Sequence, residues 1–414
     1  MNLLKFTDTS AMPKKRILVI HPGNLYPVSM AFQDRVVNLV RELNNSHHVQ
    51  VIALFNSAEQ KRLHERNLPE ICEDYYLVPK PNRTFLQRKI YGLIKKGLQT
   101  CLNIPEHSIY PNWPTVKKRI CSIINHGNYD IIQVEAWWQC GLFEYVNNHI
   151  HKVIDTHDVM YEKRELERRH RKSSLTKRAR TFLTSYKKKE LENTGRADTI
   201  ISISSHDLSI FQKHFPGKKH LLVPIGQELS DLIDYPRKDD GRTILFYGSM
   251  GGRQNIIGFW RLYNQILPLI RQKIPNIRLI VLGANPPQEI KNLHDGNQII
   301  ITGFVEDVRP YIAMSTLMIL PLETSGGFRG RIVDVMAMGV PVIGTHNALD
   351  CIGMELDVLG YIAEDNDLLS TYAIDLLSDR NQLAIMQNAC QQFVRTNYSL
   401  EKTYGNLSQY YEQL

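Results

Sequence analysis

Arg16-Ile-Leu-Val-Ile-His21, a stretch of helical period over 30–44, and Val49-Gln-Val-Ile-Ala-Leu-Phe55 follow one another near the start of the chain. The order reads strand, helix, strand. Runs that are apolar on both faces mark parallel strands covered on each side by helices, which predicts a Rossmann-like sheet. Asp130-Ile-Ile-Gln-Val134, Lys152-Val-Ile-Asp155 and Thr199-Ile-Ile-Ser-Ile203 continue the series. The rhythm restarts at Thr243-Ile-Leu-Phe-Tyr-Gly248 and runs on through Arg278-Leu-Ile-Val-Leu-Gly283, Gln298-Ile-Ile-Ile-Thr302, Leu317-Met-Ile-Leu-Pro321 and Val340-Pro-Val-Ile-Gly344. A second doubly wound α/β domain is therefore predicted, and 414 residues suit two domains. Residues 226–241 are polar, contain Pro and Gly, and read as an exposed linker between a first domain at 12–225 and a second at 242–396. Residues 1–11 read as a disordered tail.

The composition, 43% apolar and 22% charged with 24 Gly and 19 Pro, is that of a globular chain and excludes collagen-like, coiled-coil and disordered classes. No apolar run reaches the roughly 18 residues of a membrane span, and the first ten residues lack a signal-peptide core. The six cysteines are scattered without a Cys-x-x-Cys pair, which points away from a disulfide framework or zinc site and toward a reducing cytoplasm. Charge is divided unevenly. Residues 1–223 carry 35 Lys+Arg against 21 Asp+Glu, and the remainder carry 15 against 21. A basic first half suits an anionic partner, nucleic acid or membrane, or is simply a solvated basic domain.

Ligands of open parallel sheets bind beyond the carboxyl ends of the strands, so chemistry is sought in the loops there. The loop His21-Pro-Gly-Asn-Leu-Tyr-Pro-Val-Ser-Met30 has one glycine, and no Gly-x-x-x-x-Gly-Lys-Ser/Thr occurs, so dinucleotide and P-loop readings fall away. Pro321-Leu-Glu-Thr-Ser-Gly-Gly-Phe-Arg-Gly-Arg331, running into a helix over 328–338, is richer. Gly326 and Gly327 open the backbone to a phosphate, the helix start offers unpaired N–H groups, and Arg329 and Arg331 add permanent charge, which together make a diphosphate cradle without a metal. Asp334, about one turn into the helix, is placed to accept hydrogen bonds from ribose hydroxyls. A glycine turn before a surface helix, with Asp334 favouring its N-terminus, accounts for the same residues.

The order of motifs in the second half resembles the donor half of retaining glycosyltransferases of family 4, which have the GT-B architecture of two facing Rossmann-like domains with a cleft between them. The resemblance rests on Phe246-Tyr-Gly-Ser-Met250 with Asn255, Leu267-Pro-Leu-Ile, Val281-Leu-Gly-Ala-Asn-Pro286, Thr302-Gly-Phe-Val-Glu-Asp-Val308 and the 321–345 block, and is closest to an exopolysaccharide-associated subgroup. Asp155-Thr-His-Asp-Val159, Ala197-Asp-Thr-Ile-Ile-Ser-Ile-Ser204 and Val223-Pro-Ile-Gly226 extend it more weakly through the first half. It implies transfer of a sugar from a nucleoside-diphosphate sugar, held by the second domain, to a saccharide or lipid-linked acceptor held by the first. Neither metal nor cofactor is implied. By position, Gly326, Gly327 and Phe328 would meet the diphosphate, Arg329 and Arg331 would neutralise it as it leaves, and Asp334 would hold the ribose. Phe304 and Val305 would face the base, Gly248, Ser249 and Arg253 would complete the donor site, and His157 would support the transferred sugar by hydrogen bonding. The segment 397–414 would be a helix crossing back onto the first domain.

The departures from the family pattern are specific. Gly326 stands where the family has the first Glu of Glu-x7-Glu, Asp334 replaces the second, Ser249 and Asn255 stand for the usual Arg and Lys, and Val28-Ser-Met30 replaces a Gly-Gly loop. They leave open a chain that binds nucleotide sugars with impaired turnover. Residues 83–98 set Leu86, Ile90, Leu93, Ile94 and Leu98 on one helical stripe among basic residues, and 163–189 carry 12 Lys/Arg. Both suit peripheral contact with an anionic inner membrane face, or a solvated face with its apolar stripe on the sheet. The 163–189 segment lacks the aromatic interleaving of a nucleic-acid site, so no nucleic-acid partner is expected. Asp365-Asn-Asp367 imitates a metal-binding Asp-x-Asp but precedes a helix, where Asp is a favoured cap.

Overall fold

Each apolar run becomes a parallel strand in the computed structural model, which describes residues 14–28, 31–80, 114–169, 177–323, 328–353 and 358–414. The chain divides into two units. The first carries a seven-stranded parallel sheet in the order β3-β2-β1-β4-β5-β6-β7. Its strands are β1 Arg16–Ile20, β2 His48–Phe55, β3 Asp74–Pro79, β4 Ile131–Val134, β5 His151–Asp155, β6 Thr199–Ser202 and β7 Lys219–Leu222. Ile17, Leu18, Val19 and Ile20 are wholly buried, as a central strand covered on both faces requires. The edge strands β3 and β7 were not predicted. An edge needs no apolar outer face, and in Lys-His-Leu-Leu of β7 the two end residues are exposed and the middle two half-buried, so its pattern carries no strand signal.

The second unit holds β8 Thr243–Tyr247, β9 Arg278–Leu282, β10 Ile299–Gly303, β11 Leu317–Leu320, β12 Val342–Gly344 and β13 Gly360–Ile362, ordered β10-β9-β8-β11-β12-β13 and all parallel. In both sheets the strand order reverses beside the first strand, between β1 and β4 and between β8 and β11. That reversal splays the following loops apart and opens a crevice at the carboxyl edge. The segment 226–241, expected as an exposed connector, is packed on the second unit instead. Leu229 is buried in its core, Leu232, Ile233 and Tyr235 lie against it, and Arg237 donates to the carbonyls of Met338 and Ser315 at 3.2 and 2.9 Å. Leu229, buried, contributes about 1.5–3 kcal/mol to this docking, and the three half-buried side chains add a part of that each.

The last helix, Leu400–Glu412, places Tyr404–Leu414 in the first unit. There Ser408 meets His47, and the Tyr411 hydroxyl donates to Gln133 Oε1 at 2.5 Å. Asp365 caps the helix Asn366–Ser378, its Oδ1 accepting from the N–H groups of Asp367 and Leu368 at 2.8 and 3.1 Å. The tail 1–11 and the amphipathic stretch 83–98 lie outside the described residues. Of the basic stretch 163–189, the described residues lie on helices Met160–Arg169 and Lys177–Thr194, and 170–176 lie outside the described residues. Lys163 pairs with Asp158 at 2.7 Å, and the Lys187 ammonium sits 4.5 Å over the ring of Tyr161.

Glu190, on the second of these helices, caps the first by accepting from the N–H groups of Met160 and Tyr161, both at 2.8 Å. Burial outweighs those bonds and pushes its carboxyl up to about 8. The folded state therefore holds a proton that the unfolded state releases near the ordinary carboxylate range, so stability falls as pH rises from there through 8. The midpoint of urea unfolding is expected to drop between pH 5 and 9, by the equivalent of a few kcal/mol. Glu190→Gln should flatten that slope, and an unchanged slope would mean that other groups carry it.

Candidate functional site

A cavity of about 510 Å³ opens in the second unit at the carboxyl ends of β8, β9 and β10, against the first residues of the helix Gly330–Ala337. Its walls come from the loop after β8 (Tyr247, Gly248, Ser249, Gln254, Asn255), the end of β9 (Leu282, Gly283, Ala284), the loop after β10 (Gly303, Phe304, Val305, Val308) and Phe328, Arg329, Gly330 and Arg331. The floor exists because two loops cross with no side chain between them. A Cβ on Gly283, which has φ +151°, would stand 2.0 Å from the carbonyl oxygen of Gly248, and one on Gly248 would stand 2.9 Å from Asn255 Nδ2. At Gly283 only glycine permits the approach, and at Gly248 a side chain would displace the Asn255 amide.

Asn255 ties the walls together. Its Nδ2 donates to the Ser249 carbonyl at 2.8 Å and its Oδ1 accepts from Arg331 at 3.2 Å, so the amide holds the guanidinium at the wall. Arg329 lines the cavity but is 6% exposed, and its guanidinium donates to the Ala348 carbonyl at 3.3 Å. Arg331 is thus the cation braced from across the cavity, while Arg329 is turned in part toward the protein. Phe304 stands 76% exposed at the rim with Val305 beside it. Asp334 sits one turn into the helix outside the wall, and its charge reaches Tyr247, whose hydroxyl burial pushes up to about 12.

Of the predicted residues, Gly248, Ser249, Phe304, Val305, Phe328, Arg329 and Arg331 thus meet around one cavity. Arg253 does not join them: it is the exposed first residue of the helix Arg253–Arg261 and forms no part of the wall, because the turn at Gly251-Gly252 carries it outward. Gly326 and Gly327 lie outside the described residues, and the helix begins at Gly330 rather than at 328. Sequence reasoning missed Tyr247, Gln254, Gly283 and the bracing role of Asn255. A glycine closing an apolar strand, as in Val281-Leu-Gly, is the signal that could have found Gly283.

A second constellation lies at the carboxyl edge of the first sheet. His157, at φ +58°, follows β5, and this left-handed backbone, uncommon for a residue with a Cβ, turns its ring toward the end of β4. Its Nε2 lies 2.9 Å from Glu135 Oε2. Gln133 donates to Glu135 Oε1 at 2.7 Å and in turn accepts from Tyr411, which forms a buried line from the last helix to the imidazole. Burial raises the Glu135 carboxyl, while the bond to His157 pulls the other way. Asp155 is paired with Arg35 at 2.8 Å, both side chains wholly buried. Glu135, Asp155 and His157 offer ligand atoms within 4.8 Å of one another, the spacing of a metal site. The Arg35 guanidinium already neutralises Asp155, so a dication there would face a fixed positive charge.

Residues 241–379 match the family model described as Glycosyl transferases group 1. A relative, the N-acetyl-alpha-D-glucosaminyl L-malate synthase of Bacillus anthracis, is 30% identical over 137 residues, covering 30% of this chain and 34% of that protein. The match thus spans about a third of the relative's length. Solved structures agree over almost the whole chain. Sucrose-phosphate synthase from Thermosynechococcus elongatus matches with a TM-score of 0.63 and 16% identity, covering 97% of this chain and 99% of that one. HepE of Anabaena in complex with UDP matches at 0.62 and 14%, covering 96% and 100%, and TarM matches at 0.64 and 9%, covering 97% and 99%. At these identities the likeness is one of fold: two parallel-sheet Rossmann-like domains of GT-B architecture.

Proposed function

We propose that this chain is a retaining glycosyltransferase that moves a sugar from a nucleoside-diphosphate sugar to a saccharide or lipid-linked acceptor. The observation that carries the reading is the cavity at the β8–β10 edge, lined by a cation braced by Asn255, an exposed aromatic and a glycine floor. It lies within the segment that matches the group 1 model. In this reading Phe304 and Val305 cover the base, Arg331 and the start of the Gly330–Ala337 helix hold the diphosphate, and Asp334 meets the ribose. HepE, of the same fold, was solved with UDP bound.

Departure of the diphosphate leaves growing negative charge, so the site's main work is electrostatic. A guanidinium held in place before reaction stabilises that charge without reorganisation, and it asks nothing of a metal ion. The departing phosphate oxygen takes the acceptor's proton, so no general base is needed. His157, backed by Glu135, supports the transferred sugar by hydrogen bonding.

The test is a thermal-shift panel of nucleoside diphosphates and nucleotide sugars, because a ligand that binds the folded state alone raises its melting temperature. One base is expected to shift the full chain by several degrees, and one nucleotide sugar to release its sugar slowly in water. A panel without any shift would overturn the reading.

A further inference from the structure

The carboxyl edge of the first sheet holds a second group of basic side chains that the transfer chemistry does not use. His21 follows β1, is 2% exposed, and its Nε2 has no hydrogen-bond partner, while Nδ1 lies against the backbone of Gly23 at 3.0 and 3.2 Å. Lys80 follows β3 and is held there by its N–H on the Phe55 carbonyl at 2.7 Å. A Cβ built on Gly23 would stand 3.7 Å from Lys80 Nζ and 3.7 Å from His21 Cε1, so the missing side chain leaves a methyl-sized notch, room for one oxygen atom, next to both an ammonium and an imidazole.

The notch is rigid. His64, buried, accepts from the N–H groups of Leu25 and Tyr26 at 3.0 and 3.4 Å, and Gln33 donates to the Asn24 carbonyl at 2.8 Å, which fixes the loop after β1. Phe32 lies between His21 and His157, with ring centroids 4.9 and 4.2 Å away, so the notch borders the imidazole already assigned to the transferred sugar. Lys80 has no ion-pair or hydrogen-bond partner for its ammonium among the described residues, and burial alone pulls that ammonium below its usual range. A half-buried cation without a counter-ion is disfavoured, and a ligand that supplies the negative charge relieves part of that cost.

We propose that this notch receives an oxyanion of the acceptor, a carboxylate or phosphate, with Lys80 as its counter-ion and His21 and Gly23 shaping the seat. The inference rests on the transferase reading and names the acceptor class: one that carries a negative group close to the hydroxyl that takes the sugar.

The test is isothermal titration of the full chain with inorganic phosphate and with malonate, and flotation with vesicles containing polyprenyl phosphate. All are run with saturating nucleoside diphosphate so that the arginines of the second unit are occupied. Lys80→Met is expected to weaken binding at least tenfold, and Lys80→Arg to keep most of it. Gly23→Ala should weaken it several-fold, since its methyl makes only ordinary contacts and fills the notch without strain. Loss confined to the soluble anions assigns a small acidic acceptor, and loss confined to the vesicles a lipid phosphate. Binding unchanged in Lys80→Met, or no binding of any probe by the unaltered chain, would overturn the proposal. If no nucleotide binds, the transferase reading fails by itself, and the same titrations on Arg331→Ala still report on the notch.

Discussion

Arg331→Ala is expected to abolish the thermal shift caused by the nucleoside diphosphate, weakening its binding by about 100-fold. A charge-assisted hydrogen bond to phosphate contributes about 1.5–3 kcal/mol, each 1.4 kcal/mol is a factor of ten, and Arg331 is placed to make two such bonds. Because the Asn255 amide orients the guanidinium, Asn255→Ala should cost a further, smaller loss of about tenfold with Arg331 intact. Arg331→Lys should not rescue binding, since a point charge on a flexible stem cannot occupy both the Asn255 contact and the phosphate. Arg329→Ala reads out differently. Its guanidinium is buried against the Ala348 carbonyl, so the variant should lower the unfolding midpoint as well as weaken binding. Equal nucleotide affinity in Arg331→Ala and the unaltered chain would show that the diphosphate sits elsewhere.

His157→Ala is expected to lower kcat by 10²- to 10³-fold with little change in donor KM, on the general scale of a positioned polar group that acts in the transition state (roughly 2.7–4 kcal/mol). Glu135→Gln separates the role of the partner. The amide fills the same space and still bonds the imidazole, but it carries neither the charge nor the titratable proton of the carboxyl. A tenfold to hundredfold loss in kcat is expected, together with loss of the acid limb of the pH–rate profile. That limb is assigned to the Glu135 carboxyl, which lies 2.9 Å from the His157 ring. Burial raises the Glu135 carboxyl, so in the unaltered chain the proposed transfer should fall on acidification at a higher pH than an ordinary carboxylate would give. A Glu135→Gln variant with the original profile would assign the limb to another group.

Much of this architecture is legible in the chain itself. The central strands announce themselves because a parallel strand buried on both faces must be apolar throughout, and residues such as Ile17–Ile20 carry that requirement in four consecutive positions. The edge strands do not, since half of each is open to water. The candidate site was legible where a residue type has few alternative uses at the end of a strand, as with Arg331, Phe304 and Gly248. It was hidden where an ordinary residue gains its role from a distant neighbour. Asn255 and Arg331 lie 76 positions apart and Glu135 and His157 lie 22 apart. Lys80, one basic residue among 50, has no local mark at all.

The sequence by itself determined two parallel-sheet domains and the loops in which ligands would be sought, because apolar periodicity is written residue by residue and burial enforces it. Only the tertiary structure decided which charges face a cavity and which are already spent on the protein. It turned Arg329 toward Ala348, left Arg331 braced at the wall, carried Arg253 outward, and set Glu135 behind His157 and Lys80 beside Gly23. The physical reason is that pairing and desolvation depend on distances of a few ångströms between side chains from different strands, and no local pattern encodes those distances.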